Sequence, residues 1–263
     1  MARRATVIKQ ERANNDGILL VLDAGSTLTG QWISTKSKGQ VMVEGMNLMG
    51  YDALTLGQMD LSAGIEALKE REQEANFPFL SANLISVQDG KPIFQPYVIL
   101  ERQDRRIAIL GLTEPDAIVV GNNANTYMLL DPVIAAQRWV PQLREQADIL
   151  IVLSHLGAEE DKLLAEAVPG IDIIIGGNTR QIMQSPDIVG NTLIAQQGYL
   201  GEWIGRFQAT FDANGVPSDF IVEPIALTPD FEDDPELAAV MQKWDQLYPT
   251  PTPFPTLTPT PEP

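Results

Sequence analysis

The chain has no cysteine. Disulfides and thiolate metal sites are therefore excluded, while the redox compartment stays open, because a chain without thiols tolerates either condition. It has a single histidine, His155. Two-metal hydrolytic centres draw on several imidazoles, so one is a severe restriction. Positive charge is also scarce: 18 Lys and Arg stand against 35 Asp and Glu, a net charge of −17. Nucleic acid and anionic membranes are polyanions and make poor partners for such a surface. No apolar run reaches the ~18 residues of a membrane-spanning helix. Met1-Ala2-Arg3-Arg4 carries charge, but no apolar segment follows it, so it does not read as a signal peptide.

What the chain does have is 263 residues, 44% of them apolar, enough for one large α/β domain or two smaller ones. Near-continuous Ile/Val/Leu runs predict strands buried on both faces at 18–22, 107–112, 149–153 and 171–175. Helical patterns fall at about 3–14, 61–74, 132–146, 159–167 and 235–247. Asp131-Pro132 is a cap followed by a first-turn proline, and Ser62 or Asp60 is placed to cap the second helix. Pro141 predicts a kink or break in the third. The segments 204–211 and 220–222 flank Asp212-Ala213-Asn214-Gly215, which reads as a β-hairpin turn. The β/α alternation followed by antiparallel strands predicts a layered α/β domain with loops collected at strand C-termini. From Pro249 to Pro263, seven residues are Pro and five are Thr, a composition that favours extended polyproline II and cannot bury a core. We therefore expect a domain over 1–247 and a disordered Pro/Thr-rich tail over 248–263.

Several ordered blocks carry a family resemblance: residues 5–12, Leu22-Asp23-Ala24-Gly25-Ser26, Asn47 to Ala53 leading into Leu54-Thr55-Leu56-Gly57-Gln58-Met59-Asp60-Leu61-Ser62, Phe77 to Asn83, Leu153-Ser154-His155-Leu156-Gly157, Gly176-Gly177-Asn178-Thr179-Arg180 and Gln196 to Arg206. Together they resemble the metallophosphatase domain of the 5′-nucleotidase and UDP-sugar hydrolase family, within the calcineurin-like phosphoesterases. The resemblance implies a four-layer αββα sandwich and, in family members, two divalent ions held by Asp, Asn and His.

Carried over position by position, the resemblance places the bridging Asp at Ser26, an Asn ligand at Gln58, a retained His ligand at His155 and two further His ligands at Asn178 and Arg180. The leaving-group proton donor falls at Met59 and the acid that orients it at Ser62. The first strand and the first metal motif would precede residue 1. A thioether donates no proton, a hydroxyl carries no bridging charge, and a guanidinium repels cations. The expectation is therefore a domain without catalytic residues or metal cofactor, serving as a binding or structural component. Two other readings stand beside it. One is a metal-dependent phosphoesterase of nucleotides using two divalent ions (Mn or Zn). The other is an anion-binding module in which Ser26, Gln58, His155, Asn178 and Arg180 line the pocket and hold nucleotide or phosphate. Asp23 is expected to support its loop, and Asp60 to cap a helix or face solvent. A protein partner is expected at an exposed sheet edge, and an extracellular or cell-surface location follows from the resemblance and the tail.

Overall fold

In the computed structural model, which describes residues 1–121, 124–212, 215 and 217–251, the chain begins with helix α1 (Ala2–Asn14) and strand β1 (Leu22–Asp23). Helices α2 (Trp32–Lys36) and α3 (Gln40–Met49), β2 (Ala53–Thr55), α4 (Gln58–Leu61) and α5 (Ile65–Glu74) follow. Then come β3 (Phe79–Leu80), β4 (Leu84–Ser86), β5 (Tyr97–Arg102), β6 (Arg105–Thr113) and β7 (Tyr127–Leu129). The chain continues through α6 (Pro132–Arg144), β8 (Ile149–His155), α7 (Ala158–Ala167), β9 (Ile173–Gly176), β10 (Asp187–Val189) and β11 (Thr192–Gln196). It ends in the hairpin β12 (Trp203–Phe211) and β13 (Pro217–Ala226), and α8 (Pro235–Leu247).

Two sheets stack face to face. The smaller has the order β1-β2-β3, all parallel; the larger has the order β10-β11-β9-β8-β6-β5, parallel through its centre with antiparallel edges. Strand alternation assigns each side chain to one of three cores. On β6, Ile107 and Ile109 enter the core between the sheets with Leu80, Ile151 and Leu153, while Ala108, Leu110 and Leu112 face the opposite way. There they meet Ala135, Ala136, Val140 and Leu143 of α6 and Leu164 of α7. On β2, Ala53 joins the intersheet core and Leu54 the third one, with Met46 of α3, Leu68 of α5, Ile8 of α1 and Leu237 of α8. Helices, sheet, sheet and helices form the four layers expected. Phe207, Ala209 and Phe211 of β12 pack against the intersheet core, so the hairpin is part of the sandwich.

Local differences from the sequence reading have local causes. Residues 18–21 lie outside any strand, because β1 pairs with β2 only at Leu22 and Asp23. The helix expected over 61–74 is two: α4 stops at Leu61, and Gly64 (φ 86°) caps a separate α5. Helix α6 runs through Pro141 to Arg144 without a break. One lost backbone bond there is offset by a face on which Ala136, Val140 and Leu143 are buried. Asp131 caps α6 through Val133 N–H and Ile134 N–H, as its sequence predicts. The acidic run at 230–236 is a helix entrance in which Asp234 accepts from Leu237 N–H at 3.1 Å. The hairpin turn at Ala213 and Asn214, and the tail from Thr252, lie outside the described residues.

Candidate functional site

The parallel strands β1, β2, β8 and β9 end at one edge of the sandwich, and the loops that leave them meet there. This is where an α/β sheet collects ligand-binding groups. Three of the residues singled out from sequence converge. Ser26 lies just after β1, His155 closes β8, and Gly57 immediately precedes α4. The Ser26 Oγ stands 2.9 Å from His155 Nε2 and accepts from Met59 N–H at 3.2 Å. His155 Nδ1 donates to the Ala24 carbonyl. Gly57 is required by proximity: a Cβ there would lie 2.5 Å from Ser26 Oγ and 2.7 Å from His155 Nε2.

Asp60 fixes this loop. Expected to cap a helix or face solvent, it is fully buried. One carboxylate oxygen accepts from Ser26 N–H at 2.7 Å and Gly57 N–H at 2.9 Å; the other accepts from Leu28 N–H at 2.7 Å. It therefore caps α4 and also ties the β1 loop to it. Burial pushes its carboxyl up to about 6 against the pull of those three donors. Asp23 supports its loop as expected, accepting from Gly25 N–H and from the Thr27 hydroxyl.

The other positions lie at the rim. Gln58 and Met59 are exposed, with Met59 at 42%. Ser62 turns away and donates to the Met59 carbonyl at 2.5 Å. Asn178 donates to the Leu156 carbonyl at 3.2 Å, and the exposed Arg180 guanidinium stacks 4.7 Å above the Tyr199 ring. Ser26, Asn178 and Arg180 all have left-handed backbones, φ 57°, 72° and 60°, a conformation that ordinary residues keep only when the surroundings enforce it.

Sequence reasoning missed two acids. Glu114, at the C-terminal end of β6, accepts from Gln58 N–H at 2.8 Å through an oxygen that lies 3.8 Å from His155 Nε2. Its other oxygen is buried without a hydrogen-bond partner. Burial raises its pKa, and the neighbouring imidazole pulls it back. The signal that could have found it is a lone acid terminating the apolar run 107–112. Asp161 lies in the first turn of α7, fully buried. It accepts from the Ser154 hydroxyl at 2.5 Å, and that hydroxyl in turn accepts from Leu156 N–H. It thus holds the backbone on both sides of His155.

Burial raises Asp161 from 3.8 to about 7, and its second oxygen is unpartnered. Between those values the folded chain holds a proton that the unfolded chain has lost, so stability must fall as pH rises. From pH 5 to pH 8 the expected loss is about 3 kcal/mol. In Asp161→Asn the amide keeps the acceptor for Ser154 without the charge, so most of the slope above pH ~6 disappears, leaving the share of Asp60 below it. Urea unfolding of both proteins at pH 5, 6.5 and 8 measures this, and an unchanged slope in the variant would refute it.

A two-ion centre needs converging anionic or imidazole donors. Among the described residues no three His, Asp or Glu side chains converge to hold a metal. His155 uses both ring nitrogens within the protein, and both oxygens of Asp60 are taken by backbone N–H groups. These residues by themselves do not fit the pair of ions.

No family model matches the chain. Individual proteins do. The chain is 32% identical to bovine (Bos taurus) 5′-nucleotidase over 270 residues, spanning 93% of this chain and 46% of that protein. It is 29% identical to the trifunctional nucleotide phosphoesterase protein YfkN of Bacillus subtilis, over 82% of this chain and 17% of the other. It thus spans about half or less of the length of these relatives. The solved structure of a 5′-nucleotidase precursor from Thermus thermophilus superposes with a TM-score of 0.85 at 28% identity, covering 94% of this chain and 52% of the other. This kinship corrects one expectation. A domain without any metal cofactor conflicts with relatives that are 5′-nucleotidases and metallophosphatases, which use divalent ions, and the alternative of two divalent ions is the one compatible with them. By sequence and by fold, the chain belongs to the 5′-nucleotidase family of calcineurin-like metallophosphatases.

Proposed function

We propose that residues 1–247 form a nucleotide-directed phosphoesterase domain of the 5′-nucleotidase type, which takes the phosphate of its substrate at the edge where Ser26, Gln58, His155, Asn178 and Arg180 stand. The observation that carries this reading is the kinship over 93% of the chain with a 5′-nucleotidase. Arg180 at the rim suits an anionic phosphate, and the Tyr199 ring beneath it holds its plane. No step is assigned to a metal, because the described donors do not complete a centre.

The non-catalytic binding component is the second reading. Met59, exposed where the resemblance calls for a proton donor, favours it. An extracellular or cell-surface location accompanies both readings, supported by the Pro/Thr composition beyond Leu247. Among the described residues no helix is long and apolar enough to cross a membrane.

Phosphate release from nucleoside monophosphates, with and without added Mn²⁺ or Zn²⁺, tests the first reading; turnover lost in His155→Ala is the expected result. Thermal stabilisation by nucleotide without turnover, lost in Arg180→Ala, would transfer the assignment to the second reading. Neither turnover nor stabilisation would overturn both.

A further inference from the structure

We propose that Gln196 is a positioning residue for the substrate's phosphate. Acting through Thr179, it sets where the loop 178–180, and with it Arg180, stands at the rim of the site. The phosphate rests on the function proposed above; the positioning rests on geometry alone.

Gln196 ends β11 and is buried, 2% exposed. Strand register puts it in one row with Gly176 of β9 and Ser154 of β8. Two residues earlier on the same strands, Ile194, Ile174 and Val152 face the helices, so this row does too. From there the Gln196 side chain reaches the loop. Its Oε1 accepts from the Thr179 hydroxyl at 2.7 Å, and Thr179 Oγ1 accepts in turn from Ala158 N–H at 3.2 Å. Ala158 is the first residue of α7, so its N–H has no acceptor within the helix. With that N–H on its oxygen, the hydroxyl donates its one proton to the glutamine, which fixes the orientation of the amide.

The same loop is tied a second time, by Asn178 Nδ2 donating to the Leu156 carbonyl. The segment after His155 and the segment carrying Arg180 thus hold each other, and Thr179 fastens both to the sheet. Beyond Arg180 the chain is fixed again. Gly198 N–H donates to the Gln181 carbonyl at 2.7 Å, Met183 N–H donates to the Gln196 carbonyl at 3.2 Å, and Gln197 Nε2 donates to the Met183 carbonyl at 2.6 Å. Arg180 stands between two anchored points, its guanidinium over Tyr199.

Buried glutamines are common, and most serve only the hydrogen bonding of the fold. Three observations set Gln196 apart. Its Nε2 is buried without a partner, a cost that a methionine of similar volume would avoid, so what the residue contributes is its acceptor oxygen. That oxygen serves an exposed loop residue rather than the core. The residues on either side of Thr179 are both left-handed, Asn178 at φ 72° and Arg180 at φ 60°, which their surroundings must enforce. Without the anchor between them both relax, and the guanidinium leaves the place where it meets an anion.

The test uses the whole chain and inorganic phosphate, titrated by calorimetry in one buffer with the same Mn²⁺ throughout. Gln196→Met and Thr179→Val keep volume and lose the hydroxyl–amide bond. Each is expected to raise the phosphate Kd about fivefold or more, the worth of one hydrogen bond, with little change in urea unfolding. The double variant should bind no more weakly than Thr179→Val alone, because the two residues act as one unit. Thr179→Ser, which keeps the hydroxyl, should bind as the unaltered chain does. Hydrogen exchange of the peptide 177–183 should be faster in both single variants. Should Gln196→Met fail to fold, Thr179→Val, at an exposed position, carries the test. An unchanged Kd, additive losses in the double variant, or no recovery in Thr179→Ser would each overturn the proposal. If phosphate does not bind the unaltered chain, the function proposed above fails, and exchange of 177–183 alone decides the positioning: faster exchange supports it and unchanged exchange overturns it.

Discussion

Gly111→Ala is expected to destabilise the protein by about 3 kcal/mol or more, although it adds a single methyl group to a strand. Gly111 follows Ile107 and Ile109 on the face of β6 that points between the sheets. Directly opposite is Leu80 of β3. A Cβ on Gly111 would collide with Leu80 Cβ and would lie 2.7 Å from its carbonyl carbon and 2.8 Å from its carbonyl oxygen. Backbone, unlike the end of a flexible side chain, cannot swing aside. Nor is either strand free to move. Gly111 N–H donates to the Pro96 carbonyl, its own carbonyl accepts from Ala82 N–H, and the Leu80 carbonyl accepts from Leu56 N–H and the Thr55 hydroxyl. The methyl must therefore push the sheets apart and open the core around Leu80, Ile109 and Leu153, all fully buried. Urea unfolding measures the cost. A loss below about 1 kcal/mol would mean that the sheets do not approach each other here as described.

Asp60→Ala is expected to be at least as damaging, at about 4 kcal/mol, and to act on the site as well as on the fold. Three backbone donors, on Ser26, Leu28 and Gly57, lose their acceptor at once, two of them in fully buried bonds. Each unsatisfied buried donor costs about 1–3 kcal/mol, and water can reach only the outermost of the three. The gain from removing a buried, desolvated carboxyl offsets part of that sum. Asp60→Asn should recover little, because one of its two oxygens becomes an NH₂ facing an N–H donor. Since the Ser26 N–H loses its acceptor with this carboxylate, phosphate release from nucleotides should fall in whatever folded fraction remains. Stability near that of the unaltered protein in Asp60→Ala, by thermal and urea unfolding, would show that the loops hold each other without the acid.

The sequence was legible wherever a periodic pattern stood for a surface. The runs 107–112 and 149–153 became β6 and β8 because alternate residues had two cores to fill, one on each side of the sheet. The helices over 132–144 and 235–247 begin where Asp131-Pro132 and Asp234-Pro235 place a cap and a fixed φ. The ordered motifs identified the family and, with it, the four layers. Patterning was insufficient where burial is local: the run 18–22 is apolar because it packs beside the intersheet core, yet only its last residue, Leu22, finds a strand partner.

For the site, the sequence determined which residue types were available: one imidazole, no thiol, a hydroxyl at Ser26, a thioether at Met59. It could not determine what they do to one another, because Ser26 and His155 are separated by 129 positions and Glu114 by 41 from the latter. Only the tertiary structure put the hydroxyl on the imidazole, set the Glu114 carboxylate beside that imidazole, and buried Asp60, which composition alone would leave in water. The physical reason is that hydrogen-bond direction and desolvation are properties of neighbours in space, set when parallel strands end at a common edge and their loops compete for the same donors and acceptors.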